Sequence, residues 1–174
     1  MGKIEEILRS ESRPKERQKE LADSLCSGKI KPKEFINFFK SAGDVDKGSC
    51  ADAMKRVSAQ KPAVLAPYIG VLVEYINYRA PRVKWGVSEA VGNLAGKYPD
   101  RAAGAVPSLL LNAVESKVNT TVVRWCAAYA LSEIAKHCKK ARKELVPEIM
   151  RIAENETNTG VKNVYLKALK IIGK

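Results

Sequence analysis

The sequence predicts an all-α protein, a solenoid of stacked helical hairpins, and three observations carry that expectation. Apolar residues recur at spacings of three and four, as in Val123, Ala127, Ala130, Leu131 and Ile134, which share one face of a 3.6-residue period. No stretch alternates with period two over a useful length. The chain also repeats itself: Pro67, Pro107 and Pro147 stand 40 residues apart in the similar runs LAPYIGVLVEYI, AVPSLLLNAVE and LVPEIMRIAE.

Taken in order, Ile4, Ile7 and Leu8 give residues 2–10 a short amphipathic turn or two, able to fold over the first repeat or to stay apart from it. Residues 13–27 carry only Leu21 and Leu25 among many charges, so 1–29 read as N-terminal capping helices with a polar outer face. Residues 30–60 form a degenerate repeat. AMKRVSAQKP at 53–62 matches AVGNLAGKYP at 90–99, and Phe35, Ile36 and Phe39 then correspond to Leu72, Val73 and Ile76. Residues 61–100, 101–140 and 141–174 are the clear repeats of a single domain spanning 1–174.

Each repeat reads as two helices. Proline is tolerated in the first turn of the first helix, where the amide it lacks has no intrahelical partner. In the third repeat that helix has Val106, Leu109, Leu110, Ala113 and Val114 on one face. Turn-like segments at 78–82, 116–121 and 155–160 separate the two helices. The second helices open on Val83-Lys84-Trp85, Val123-Arg124-Trp125 and Val161-Lys162-Asn163, and Ala90, Ala130 and Ala168 align behind them, as do Leu94, Ile134 and Ile172. Gly86, Gly92 and Gly96 fall in one second helix, where small residues allow close packing.

An early proline in the first helix, a Val-Lys/Arg opening of the second and an Ala-apolar-x-x-apolar core, on a period near 40, resemble the HEAT-repeat family over residues 30–174. The resemblance implies a right-handed α-α superhelix of about four hairpins, whose second helices line a concave surface. Segments 80–84 and 158–162 look like the family's Asp-Pro-x-Val-Arg turn, with Ala80 and Asn158 where the family has Asp, so the usual partner of an inter-repeat Asp–Arg ladder is missing. Lys84, Arg124 and Lys162 fill the family's arginine slot, which implies hydrogen bonds to neighbouring turns.

Lys and Arg total 31 against 19 Asp and Glu, a net charge of +12. The excess is concentrated in 61–174, with 18 basic against 9 acidic side chains, compared with 13 against 10 in 1–60. Such a field favours acidic or polyanionic partners. No apolar run approaches the ~18 residues of a membrane span. Cys26, Cys50, Cys126 and Cys138 form no C-x-x-C pair and His137 is the only histidine, so no zinc-site spacing is present. The start MGKIEEILRS has neither an apolar signal core nor the Ser or Thr of a myristoylation motif at Glu6. Together these features predict a cytoplasmic protein with reduced thiols, no metal, no cofactor and no membrane partner.

Two constellations are candidates for function. With ~100° per residue, Trp85 and Trp125 point away from the main apolar stripe, with Glu89 and Tyr129 one turn later on the same side. Trp85, Glu89, Trp125 and Tyr129 form an aromatic floor for a partner if they face the concave surface. They are structural if the indoles wedge between repeats. Lys97, Arg101, Lys136, Lys139, Lys140, Arg142 and Lys143 fall at links between repeats, which share one rim of a solenoid. That rim either tracks a polyanion or is a solvated cluster at helix C-termini. The sequence therefore predicts a non-enzymatic scaffold holding a macromolecule, most simply a protein. The alternative is a nucleic-acid binder, at its extreme a HEAT-like alkylpurine DNA glycosylase using Trp85, Trp125, Glu89 and Arg124. No phosphate-cradling glycine loop and no carboxylate pair spaced for acid–base chemistry is present.

Overall fold

Proline and short polar side chains decide where the helices of this chain begin. The computed structural model describes residues 2–114 and 117–173, and among these no β-strand occurs. Four helices start on proline, whose fixed φ suits the first helical position: α2 (Pro14–Cys26), α3 (Pro32–Ser41), α6 (Pro81–Ala95) and α7 (Pro99–Ala103). In α9 (Thr121–His137) the Thr120 hydroxyl accepts from the Val123 amide, and in α11 (Thr159–Ile172) the Asn158 carboxamide oxygen accepts from the Val161 amide at 3.1 Å. The remaining helices are α1 (Lys3–Arg9), α4 (Asp44–Gln60), α5 (Ile69–Tyr75), α8 (Val106–Ala113) and α10 (Lys139–Asn155), with two 3-10 turns at Pro62–Val64 and Ala66–Tyr68.

These elements form repeating helix pairs. Helices α2, α4, α6, α9 and α11 stack side by side as one row, and α1, α3, α5, α7 with α8, and α10 back them. The degenerate first repeat is such a pair, α3 with α4, and buries Phe35, Ile36 and Phe39. The N-terminal segment differs from a simple cap. Helix α2 lies in the row against α4, and α1 backs it with Ile4, Ile7 and Leu8 buried, so the two make a further pair. Gly28, at φ 77°, lets the chain reverse after α2, and the Ile30 amide then reaches the Ser24 carbonyl at 3.1 Å.

Pro147 is another departure. It lies well inside α10, not in a first turn, and has no N–H to offer the carbonyl four residues back. In the preceding unit the chain breaks at Gly104-Ala105 before Pro107, separating α7 from α8. Glu144-Leu145 occupy the corresponding place in α10, and without the glycine the helix runs on. The expected turn at 116–121 begins at Ser116, outside the described residues.

Close approach within the row is set by small residues. A Cβ on Gly86 of α6 would stand 2.8 Å from the Ala51 Cβ and 2.9 Å from the Ala51 carbonyl carbon of α4. A Cβ on Gly92 would meet the Tyr129 ring at 2.7 Å and the Ala130 Cα at 3.0 Å. Gly96 is not in the helix but caps its end, with no such contact. Gly86→Ala therefore lowers stability by about 1–3 kcal/mol through overpacking, against the usual helical gain of alanine. Gly70→Ala in α5, with nothing within 4 Å of the new methyl, raises it by about 0.5–1 kcal/mol. Urea unfolding of the two variants checks both signs.

Candidate functional site

A cation near the start of three row helices ties the helix to its surroundings. Lys84, on α6, is buried and donates to the Oδ1 atoms of Asn112 and Asn119, each at 3.3 Å. Burial pulls its pKa below the ordinary lysine value. Arg124, on α9, is only 4% exposed and forms a forked pair with Glu156, Nε to Oε2 at 3.0 Å and Nη2 to Oε1 at 3.2 Å, while Nη1 donates to the Asn119 carbonyl at 3.0 Å. Lys162 in the same slot of α11 is half-buried. Cross-repeat links are thus made in two ways: carboxamides serve Lys84, and Glu156, which directly follows α10, serves Arg124. Lys47 completes the series on α4. Its ammonium donates to the Phe39 and Lys40 carbonyls and lies 4.9 to 5.5 Å from the ring centroids of Phe39, Tyr75 and Tyr78. The 37-residue offset that relates the first two repeats leads from Lys84 to Lys47, so the signal for it was present in the sequence.

On the free side of the row lies a groove of about 600 Å³ crossing four helices. Pro14, Lys15 and Gln18 come from α2, Asp52, Lys55 and Arg56 from α4, Arg82, Trp85 and Glu89 from α6, and Val122, Trp125 and Cys126 from α9. Three of the four residues expected in an aromatic floor are brought together here. Trp125 is 40% exposed, and Trp85 and Glu89 are half-buried. Tyr129 sits behind them. Its ring stacks on Trp125 at 5.9 Å between centroids, and its hydroxyl donates to the Asn93 Oδ1 at 2.7 Å. Burial, with Glu133 and Glu89 nearby, pushes its pKa up to about 12.

Arg124 does not join this group, being committed to Glu156 on the other side of its helix start, so the four residues of the glycosylase-like constellation do not share one groove. Glu89 itself pairs with Lys55 at 3.6 Å, and Asp52 is held by Arg82 at 2.8 Å. Asp52 occupies the Glu89 slot at the 37-residue offset, a correspondence visible in the sequence. Lys55 and Arg56 replace Gly92 and Asn93 and have no such signal.

The basic rim divides into two kinds of side chain. Arg101 donates to the Ala66 carbonyl at 3.2 Å, Arg142 closes the end of α9 through the Ala135 and Lys136 carbonyls, and Lys136 pairs with Glu133. Arg101 and Arg142 thus hold the links, whereas the Lys136 pair stays within α9. Lys97, Lys139, Lys140 and Lys143 are exposed and make no hydrogen bond or ion pair among the described residues. His137 is on the surface beside Glu133 at 3.5 Å.

The described residues define an all-α helical-repeat protein with one cross-row groove, and no described helix is long and apolar enough to cross a membrane. A scan against protein-family models finds no match, and a search of curated proteins finds none.

Removing one partner from the buried pair leaves a desolvated charge behind. Glu156→Gln lowers unfolding free energy by about 3–5 kcal/mol in a denaturant melt, whereas exposed Lys140→Gln changes it by less than about 0.5 kcal/mol. Burial pushes the Cys50 and Cys126 thiols up to about 12, above the ordinary ~8.5 of an unfolded thiol. The unfolded chain releases these protons first as pH rises, so the contribution is full below about 8.5 and is lost between there and about 12. Maleimide labelling of the native protein at neutral pH therefore reaches half-buried Cys26 well before Cys50 or Cys126.

Proposed function

We propose that the protein is a non-enzymatic binding module of HEAT-like hairpins that holds a macromolecular partner, a protein, on the concave row face. The observation that carries this reading is the groove floored by Trp85 and Trp125. A large aromatic left 40% exposed at position 125, in a row otherwise packed with alanine, glycine and valine, is the kind of rigid anchor that dominates protein interfaces. Glu89 is read as part of the groove's charge pattern, not as a catalytic base, because Lys55 pairs with it. The basic rim raises the encounter rate with an acidic surface more than it raises affinity. Four free cysteines fit a reducing, cytoplasmic setting.

The second reading is nucleic-acid binding by the rim, and the four exposed lysines at 97, 139, 140 and 143 are the observation in its favour. The two diverge in salt dependence, since each neutralised phosphate adds about 0.9 to the slope of log K against log salt. Fluorescence anisotropy with short single- and double-stranded DNA and RNA tests them. The protein-binding reading expects oligonucleotide affinity weaker than about 10 μM at physiological salt and indifferent to Trp125→Ala. Tighter binding with a steep salt slope, abolished by replacing those lysines with glutamine, overturns it.

A further inference from the structure

Granted that the groove takes a protein, we propose that its occupant is an extended segment with an acidic half and an apolar half, the acidic half over α2 and α4 and the apolar half over α6 and α9. Charge points to the first half. Of the charged groups along the groove, Asp52 is neutralised by Arg82 and Glu89 by Lys55. Lys15 and Arg56 are left over, with no carboxylate at ion-pairing distance among the described residues, and both belong to the α2–α4 end. The Nε of Arg56 is moreover buried and donates to nothing among those residues. That Nε is out of a ligand's reach, but the two terminal nitrogens make no hydrogen bond among the described residues and are not buried, and they can donate in parallel to a carboxylate in the groove.

Apolar surface points to the second half. Five large hydrophobic side chains within fifteen residues of sequence are exposed: Leu111, Val114, Val118, Val122 and Trp125. The turn that bears Val118 is tied down by Asn119, whose Nδ2 donates to the Leu111 and Val114 carbonyls at 2.8 and 3.0 Å. Val122 and Trp125 line the groove, so its α9 end is apolar, and Val118 adds exposed apolar surface on the turn that precedes α9. In the preceding unit Arg82 holds the slot of Val122, so the margin does not extend toward α4.

The polarity of the groove argues against a nucleic acid. Phosphates recur evenly along a strand and want cations along their whole path, but the α9 lining is Val122, Trp125 and Cys126, and Asp52 and Glu89 stand midway. A peptide carries charge at one end and apolar side chains at the other without difficulty. Three steps between row helices at ~9 Å each, about 27 Å in all, match roughly eight extended residues.

The probe is a fluorescein-labelled peptide of roughly ten residues, acidic in its first half and rich in Leu and Phe in its second. The same peptide with Lys for every acid, and an oligothymidylate of equal length, are the comparisons. Trp85 and Trp125 are the only tryptophans in the chain, so their emission reports on the groove directly. The acidic peptide should bind and shift that emission to the blue, and Arg56→Gln should weaken it about tenfold. Lys15→Gln, at an exposed position that folding does not need, should weaken it too, and Lys140→Gln on the rim should not. Circular dichroism checks that Arg56→Gln is folded. Acidic-peptide binding indifferent to both groove variants overturns the inference, as does a response to none of the probes. A response to the lysine peptide alone overturns it while leaving the groove a protein site. A response to the oligothymidylate alone overturns both readings.

Discussion

A helix in the middle of a row has neighbours on three sides, and the three sides do not ask for the same residues. Toward its row neighbours it must come close, so α6 presents Gly86 to Ala51 and Gly92 to the ring and backbone of α9. Toward its backing helix it presents the ordinary apolar stripe of Val83, Val87, Ala90 and Leu94. Only the fourth side has room for an indole. The positions of Trp85 and Trp125 follow from this exclusion, and with them the aromatic floor of the groove. A methyl group added at Gly86 disturbs the spacing of α4 and α6.

The cations at the row-helix starts answer a second consequence of stacking, which is that the turns inside each hairpin approach one another with polar groups exposed to burial. Phe39 and Lys40 offer carbonyls to Lys47, and Asn112 and Asn119 offer carboxamides to Lys84. Only Arg124 has a full counter-charge, in Glu156. One slot is thus filled by three different arrangements. A charge buried with dipoles alone is more costly than one buried with a carboxylate, and the lowered pKa of Lys84 is the mark of that difference.

Most of the architecture was legible in the sequence, because close repetition at offsets of 37 to 40 makes each unit a check on the next. The pairing of α3 with α4 was visible through the match of 53–62 to 90–99 and the correspondence of Phe35, Ile36 and Phe39 that follows from it. The membership of α2 in the row was not, since its buried Gln18 and Ser24 read as surface residues. Continuity through Pro147 was hidden for a related reason: proline is a strong signal, whereas the absence of a glycine at 144 is a weak one. In the groove, Trp85, Trp125 and Glu89 were found from helical phase. Arg56 was not, because two adjacent cations on an amphipathic helix carry no hint of which one is paired, as Lys55 is with Glu89, and which is left over. The rim was legible as a place but not as a set of contacts, and nothing in Arg142 or Arg101 as letters distinguishes a tether from a free cation.

Every substantial helix contact joins a helix to its own partner or to the next pair. Cooperativity in such an array is a nearest-neighbour property, and opening starts where a unit has one neighbour instead of two. The groove needs α2, α4, α6 and α9 in register at the same moment, so its existence is tied to the N-terminal pair staying docked. A ligand seated across all four helices spans three of these junctions at once. Its binding energy then appears as added protection of α2, and occupancy of the groove is written into the exchange rates of a helix that contributes only its edge.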